Sequence, residues 1–460
     1  METGVHRILL AGTGSGCGKT TTVCGILQAF VNRGLRTGAF KSGPDYIDPM
    51  FHSQVIGAKS ANLDPFFFDR NTMQFLLAEN GADRDISVIE GAMGFYDGAG
   101  LATSRASSWE TAELTGTPVV LVVPARGAAL SVLAVIAGFL DFQPGSHICG
   151  VILNRCSAAV YQGLSVEIRR RFGGRVKPLG FLPDIPECVL ESRHLGLVTA
   201  AEVKDLRGKM QILAQKVEET IDLDGLLDLA RGAPPLSYTP ILPERREAVR
   251  IAVARDKAFC FYYEDSLQLL EKMGGELIPF SPLSDERLPE HIHGLYLGGG
   301  YPELYARELS QNESMRRDVR RALGNGLPCI AECGGFMYLT EKIDSCPMAG
   351  FLPGTCWDNR RLTRFGYVTL RAQEHCLLCR PGEEVRGHEF HHWDAAYPGE
   401  GFTARKPSGQ AWTCAHVSET LYAGFPHFHF YANPRFAENF YDACIKEKHR
   451  YAGNLQANGH

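Results

Sequence analysis

Apolar and polar positions divide this chain into short solid runs separated by stretches of helical spacing. In the first half the apolar runs fall at 7–11, 36–40, 86–90, 118–123, 148–153 and 176–181. Runs of this length, bounded by glycine, proline or charge, read as strands buried on both faces. Helical stretches lie between most of them. The pattern predicts a parallel sheet with helices on both sides, a doubly wound α/β fold. One helix is expected over 21–30. Another over 129–142 is apolar but interrupted by Ser131, Gly138 and Asp141, and reads as a buried helix, not a membrane span.

Periodicity lapses over 231–240, where glycine and proline dominate and mark a linker. A short polar piece at 244–247 has helical character. A fresh strand at 249–254 then opens a second α/β series, with strands at 276–280, 294–297 and 328–331. The expected organisation is a domain over 1–235, a linker over 236–248, a second domain over 249–445 and a polar tail over 446–460, mobile after Tyr451. Doubly wound sheets bind ligands at the carboxyl ends of their strands, so chemistry is sought there.

Gly12-Thr13-Gly14-Ser15-Gly16-Cys17-Gly18-Lys19-Thr20 directly follows the first strand and opens the first predicted helix. Strand, glycine loop and helix in that order make a phosphate cradle. Backbone N–H groups turn inward, the helix start adds partial positive charge, and Lys19 adds a full one. Thr20 is placed to ligate Mg²⁺. Relative to the common G-x-x-x-x-G-K-[ST] spacing, Thr13 occupies the first glycine position and the loop is one residue longer. Glu90 ends a strand, where it can hold Mg²⁺ or cap a helix. Asp45 and Asp48 follow Lys41 at another strand end, and Asp97 lies in a glycine-rich loop. Metal or phosphate work and ordinary turn formation both suit these aspartates.

In the second half, Ala331-Glu332-Cys333-Gly334-Gly335 lies between a short strand and a helical run. That context is a nucleophile elbow, with glycines that let the backbone bend and a helix start expected to favour the thiolate. The base is sought in Gly424-Phe425-Pro426-His427-Phe428-His429. Strand alternation puts His427 and His429 on one face, so spacing does not choose between them. Gly298-Gly299-Gly300 ends another strand and offers N–H groups for an oxyanion.

Composition narrows the class. At 460 residues the chain is too long for one ordinary core, and 45% hydrophobic content is globular. A formal charge of −5 without a Lys/Arg block argues against a nucleic-acid partner, and no run suggests a membrane. The first residues are polar and resemble no export signal, so the 14 cysteines are expected as free thiols in a reducing cytoplasm. Cys376 and Cys379 form a lone C-x-x-C with His375 adjacent, short of a zinc ligand set.

The glycine loop, Lys41-Ser42-Gly43-Pro44-Asp45-Tyr46, Val88-Ile89-Glu90-Gly91, Tyr96-Asp97-Gly98, Leu297-Gly298-Gly299-Gly300-Tyr301-Pro302-Glu303 and Ala331-Glu332-Cys333-Gly334-Gly335 together resemble the cobyrinate a,c-diamide synthase family, from about residue 7 to about residue 435. The long phosphate loop is similar to that of dethiobiotin synthetase. The resemblance implies a P-loop amidoligase domain followed by a flavodoxin-like class I glutamine amidotransferase domain of the cobyric-acid-synthase branch. It implies ATP and Mg²⁺, with cobyrinate and L-glutamine as the other substrates and a monomer or homodimer as the assembly. Gly14, Ser15, Gly16, Cys17, Gly18, Lys19, Thr20 and Thr21 would hold the phosphates. Thr20, Asp45 and Glu90 would take Mg²⁺, and Lys19 and Lys41 would stabilise the transferring phosphoryl group. Asp48 and Asp97 would lie near the reacting carboxylate. Cys333 would attack glutamine, with His427 or His429 as base and Gly299 and Gly300 lining the site. Arg193-His194-Leu195-Gly196-Leu197 and Arg386-Gly387-His388-Glu389-Phe390-His391 are further family-like stretches. The first is expected at the domain junction or the tetrapyrrole site. The second suits a polycarboxylate ligand or a structural role. Hydrogenobyrinate and nickel-sirohydrochlorin remain alternative tetrapyrroles, and a partition-type ATPase switch is the alternative of another class.

Overall fold

The strand that precedes the glycine loop, β1 (Arg7–Gly12), is buried along its whole length. It lies in the middle of a seven-stranded sheet. The structure is a computed structural model that describes residues 1–188 and 206–458, with residues 454–458 as helical backbone, plus the backbone of two short strands at Ser192–Arg193 and Gly196–Leu197. The rest of the Arg193-to-Leu197 motif lies outside the described residues. The chain forms two units, Met1–Ile241 and Leu242–His460.

In the first unit β1 is followed by α1 (Lys19–Asn32), β2 (Thr37–Ser42), the short α2 (Ile47–Phe51), β3 (Lys59–Leu63), α3 (Arg70–Gly81) and β4 (Ile86–Glu90). Then come α4 (Ser108–Thr115), β5 (Val119–Pro124), α5 (Ser131–Asp141), β6 (Ile148–Asn154), α6 (Ala158–Phe172), β7 (Lys177–Leu182), α7 (Leu206–Thr220) and α8 (Leu223–Arg231). The sheet order is β3-β2-β4-β1-β5-β6-β7, parallel throughout. Helix α1 is buried on nearly every side, including Val23, Ile26, Leu27 and Phe30. Each such side chain removed from water contributes roughly 1.5–3 kcal/mol before entropy is counted. Two expectations change here. Helix α5 is half-exposed: Val132, Leu133, Ile136 and Leu140 face inward, while Leu130, Val135 and Phe142 are solvent-exposed. The linker composition around Pro234 does not leave the chain loose, because Leu236–Ser237 pairs antiparallel with Glu2–Thr3. The buried Arg7 guanidinium also donates to the Pro234 carbonyl at 2.8 Å.

The second unit opens with β8 (Val249–Ala254), α9 (Glu264–Met273), β9 (Gly275–Phe280), β10 (Gly294–Leu297), α10 (Glu313–Gly324), β11 (Cys329–Glu332) and α11 (Gly334–Leu339). A long hairpin follows, β12 (Thr355–Ala372) and β13 (Glu384–Ala395), with β14 (Phe402–Arg405), β15 (Ala411–Cys414), β16 (His416–Ser418), β17 (Leu421–Gly424), β18 (His427–Phe428) and α12 (Pro434–Asn458). The main sheet has the order β9-β8-β10-β11-β17-β16, parallel except for the antiparallel edge strand β16. The hairpin belongs to a separate, mostly antiparallel sheet in which β13 pairs with β18. Residues 244–247 are not helical. Four residues between Pro243 and a strand cannot offset helix nucleation. Their side chains pair instead with α12, Arg246 with Asp442 and Glu247 with Lys448 at 2.7 Å. Helix α12 carries the chain through 446–458, the stretch expected as a tail.

Candidate active sites

The carboxyl ends of β1, β2, β4 and β6 meet around the glycine loop. Gly16 and Gly18 have φ of 74° and 87°, a conformation that only glycine adopts at little cost. At Gly18 a Cβ would also stand 1.9 Å from the Asn154 side-chain nitrogen, which donates to the Cys17 carbonyl at 2.8 Å. Asn154, at the end of β6, therefore pins the loop. Sequence spacing gave no signal for it, since 137 residues separate the two. The Gly12 carbonyl accepts from the Phe95 N–H at 2.9 Å, so the loop after β4 lies against the glycine loop. In that second loop Asp97 accepts from the Gly94 N–H at 2.8 Å, as a turn former.

Register sets Lys41 of β2 opposite Glu90 of β4. The Lys41 ammonium lies 3.2 Å from Glu90 Oε1 and contacts the Asp48 carboxylate more closely still. The Thr20 hydroxyl donates to the same Glu90 oxygen at 2.7 Å. His52 Nε2 stands 3.4 Å from the other, Oε2. Burial alone would raise the Glu90 carboxyl, but the Lys41 charge, the neighbouring His52 ring and Lys19 outweigh it, and the group is held below the usual carboxylate range. Lys41 is likewise raised against its burial by Asp48 and Glu90. Lys19 is pushed down by burial and by Lys41. Asp45 is pushed well up by burial and by Asp48, and its carboxylate accepts from the Ile47 N–H at 2.9 Å. The structure thus brings Thr20, Lys41, Asp48 and Glu90 into direct contact, with Lys19 and Asp45 within their electrostatic reach. A hydroxyl beside carboxylates is a hard oxygen donor set that suits Mg²⁺. Among the described residues no group of three or more His, Cys, Asp or Glu side chains forms a ligand cluster, so an ion here would draw on Thr20 and phosphate oxygens as well.

In the second unit Cys333 has φ 48° and ψ −99° on the turn between β11 and α11. A non-glycine residue held in that region carries strain that its surroundings must enforce. They do so through close packing. A Cβ at Gly334 would stand 2.9 Å from Pro302, and one at Gly335 2.2 Å from the Leu297 carbonyl oxygen. The Cys333 N–H donates to the Gly424 carbonyl at 2.7 Å. Burial, then Glu303, then Glu389 push the thiol above its ordinary value. That reverses the expectation of a favoured thiolate. Helix α11 has six residues, and its field is weak against three carboxylates and low exposure.

His427 and His429 are both buried, but they face different partners. His427 Nδ1 lies 3.4 Å from Glu332, the residue before Cys333. A Cβ at Gly299 would meet the His427 ring at 2.5 Å, so glycine there admits the imidazole. His429 lies beyond the end of β18, with its ring centroid 4.7 Å from that of Tyr263 and Nε2 4.0 Å from Asp265. Burial lowers it to about 3. Gly300 has φ 153° and approaches the Ala258 carbonyl too closely for a side chain. Cys376 and Cys379 lie in the loop between β12 and β13 with sulfurs 3.6 Å apart.

Known proteins match both units. The CobQ/CobB/MinD/ParA nucleotide binding domain family matches residues 8–196, and the CobB/CobQ-like glutamine amidotransferase domain family matches residues 250–434. The chain is 36% identical to the cobyrinate a,c-diamide synthase of Priestia megaterium, over 96% of this chain and 98% of that protein. It is 38% identical to that of Salmonella typhimurium (95% and 98%) and 39% identical to that of Caldanaerobacter subterraneus (95% and 98%).

Proposed function

The chain belongs to the cobyrinate a,c-diamide synthase family, as a glutamine-dependent amidoligase, and on that premise we propose that it converts the c and then the a acetate carboxylates of cobyrinate into amides through acyl phosphates. A carboxylate resists ammonia because it is anionic and hydroxide leaves poorly. Phosphorylation by ATP cancels the charge and supplies a leaving group. Phosphoryl transfer relies on positioning and electrostatics more than on covalent help. Lys19 and Lys41 are the cations at hand for the transferring group, and Asp48 fixes the Lys41 ammonium. Mg²⁺, when bound to Thr20 and Glu90 with Asp45 near, would supply charge neutralisation on the phosphates.

In the second unit the Cys333 sulfur attacks the glutamine amide carbon. The S–C bond forms, the C–N bond breaks and ammonia leaves. We assign His427 as the group that takes the thiol proton and returns it to the departing nitrogen, because Glu332 and Gly299 hold its ring beside the Cys333 turn. Water then releases glutamate from the thioester.

The observation that carries the reading is the strained Cys333 turn in a chain that also holds the Thr20–Glu90–Lys41 cluster at a phosphate loop. The test is a product mass assay with MgATP, glutamine and, separately, cobyrinate, hydrogenobyrinate and nickel-sirohydrochlorin. Two successive OH-to-NH₂ mass differences on cobyrinate, requiring both ATP and glutamine, are expected. The same on another macrocycle would reassign the substrate, and none on any would refute the amidation.

A further inference from the structure

We infer that His391 is an imidazolium paired with the buried Glu389 carboxylate, and that this neutral pair permits Cys333 to ionise beside it; the inference rests on the glutaminase reading of the second unit. Both residues lie on β13, two apart and on one face. Glu389 has no exposed surface and His391 only 5%. His391 Nδ1 is 2.6 Å from the Trp393 carbonyl oxygen. A carbonyl only accepts, so Nδ1 carries a hydrogen. Nε2 is 2.8 Å from Glu389 Oε2. In a neutral ring with Nδ1–H, Nε2 presents a lone pair, and two lone pairs do not meet at that distance. A proton lies between them. The Trp412 Nε1–H donates to Glu389 Oε1 at 3.1 Å, which favours the carboxylate form and leaves the proton on His391.

The pair is tied to the nucleophile by packing. The His391 ring stacks on Phe425 with centroids 4.1 Å apart and planes at 12°. Phe425 meets Phe336 of α11 edge-on at 5.0 Å and follows Gly424, which accepts from the Cys333 N–H. The charged groups facing Cys333 are Glu303 on the glycine-rich loop, Glu389 on β13 and Glu332 beside it, and His427 beyond β17 lies against Glu332. Cys414 and Tyr422 face Glu389, Arg364 faces Cys414 but is paired with Asp394 at 3.1 Å, and His416 stacks on Phe336. Ionising the thiol adds an anion to a buried site already supplied with carboxylates. Glu389 taken alone pushes the thiol up, and the His391 proton cancels that push. Neither residue touches glutamine on this account, so both are positioning residues that act through Cys333.

The test is the pH dependence of Cys333 alkylation by iodoacetamide, read on the Cys333 peptide by mass, in the full-length protein. His391→Gln strands the Glu389 charge, and the alkylation midpoint is expected to rise by about one pH unit. Glu389→Gln is expected to leave the midpoint in place. The double variant is expected to restore it, which loss of packing alone would not do. A His391→Gln profile that coincides with the parent, or a shift that persists in the double variant, overturns the proposal. Should His391→Gln fail to fold, nitrogen-15 spectra of histidine-labelled parent and Glu389→Gln proteins decide. One buried histidine protonated on both ring nitrogens is expected only in the parent, and identical spectra overturn the pair. Glutamine hydrolysis by the parent is measured separately, so failure of the glutaminase reading is not mistaken for failure of the pair.

Discussion

Glu303 closes the glycine-rich loop facing Cys333 and has no cation partner among the described residues. Burial, reinforced by the Asp358 charge, raises its carboxyl to about 7 from an ordinary 4.5. The folded protein therefore holds a proton there that the unfolded chain releases, and stability falls as pH rises from about 4.5 to about 7. Glu303→Gln lacks that loss. Its stability advantage over the parent in denaturant titrations should be near zero at the acid end, grow across the window to about 3 kcal/mol, and stay flat above it. An advantage independent of pH would contradict the assignment. Residues whose chemistry is local were legible in the sequence. Lys19 and Thr20 open α1 after the glycine loop, Glu90 ends β4 and Cys333 follows β11, each with telling neighbours. Asn154, His52 and Trp412 were not, because each is defined by a partner far along the chain. For His427 and His429 the spacing was legible but the choice was not, since β18 ends between them and sends the rings to different partners.

At the scale of elements, the strands that are solid apolar runs were legible and the others were not. Strand β3 reads Lys-Ser-Ala-Asn-Leu and buries only its last three residues, so no apolar run announces it. The β12–β13 hairpin carries arginines and histidines through its length and forms the middle of the second unit's other sheet, where neither period 2 nor solid burial applies cleanly. Helix α5 departs from the expectation of full burial because apolar content is not burial. Packing of α1 on α7 gives a test. A Cβ on Gly25 would stand 2.8 Å from Val217 Cγ2 and 2.9 Å from Leu213 Cγ. Gly25→Ala gains helix propensity yet overpacks this contact, and the overpacking should win, costing about 1–3 kcal/mol in thermal unfolding. A variant as stable as the parent would mean that α7 shifts freely on α1.

At the scale of the whole molecule, the proposed function assigns phosphoryl transfer to one unit and glutamine hydrolysis to the other. The phosphate loop and its Lys41–Glu90 cluster belong to Met1–Ile241, and Cys333 with its histidines belongs to Leu242–His460. That division predicts that the two activities separate by mutation. The measurement that tests it most directly compares amide formation on cobyrinate by the parent and Cys333→Ser, with MgATP and either glutamine or free ammonia as nitrogen source. The account predicts that Cys333→Ser loses glutamine-dependent amidation by about three orders of magnitude or more while ammonia-dependent amidation matches the parent. Loss of both together, or glutamine use that survives the substitution, would contradict it.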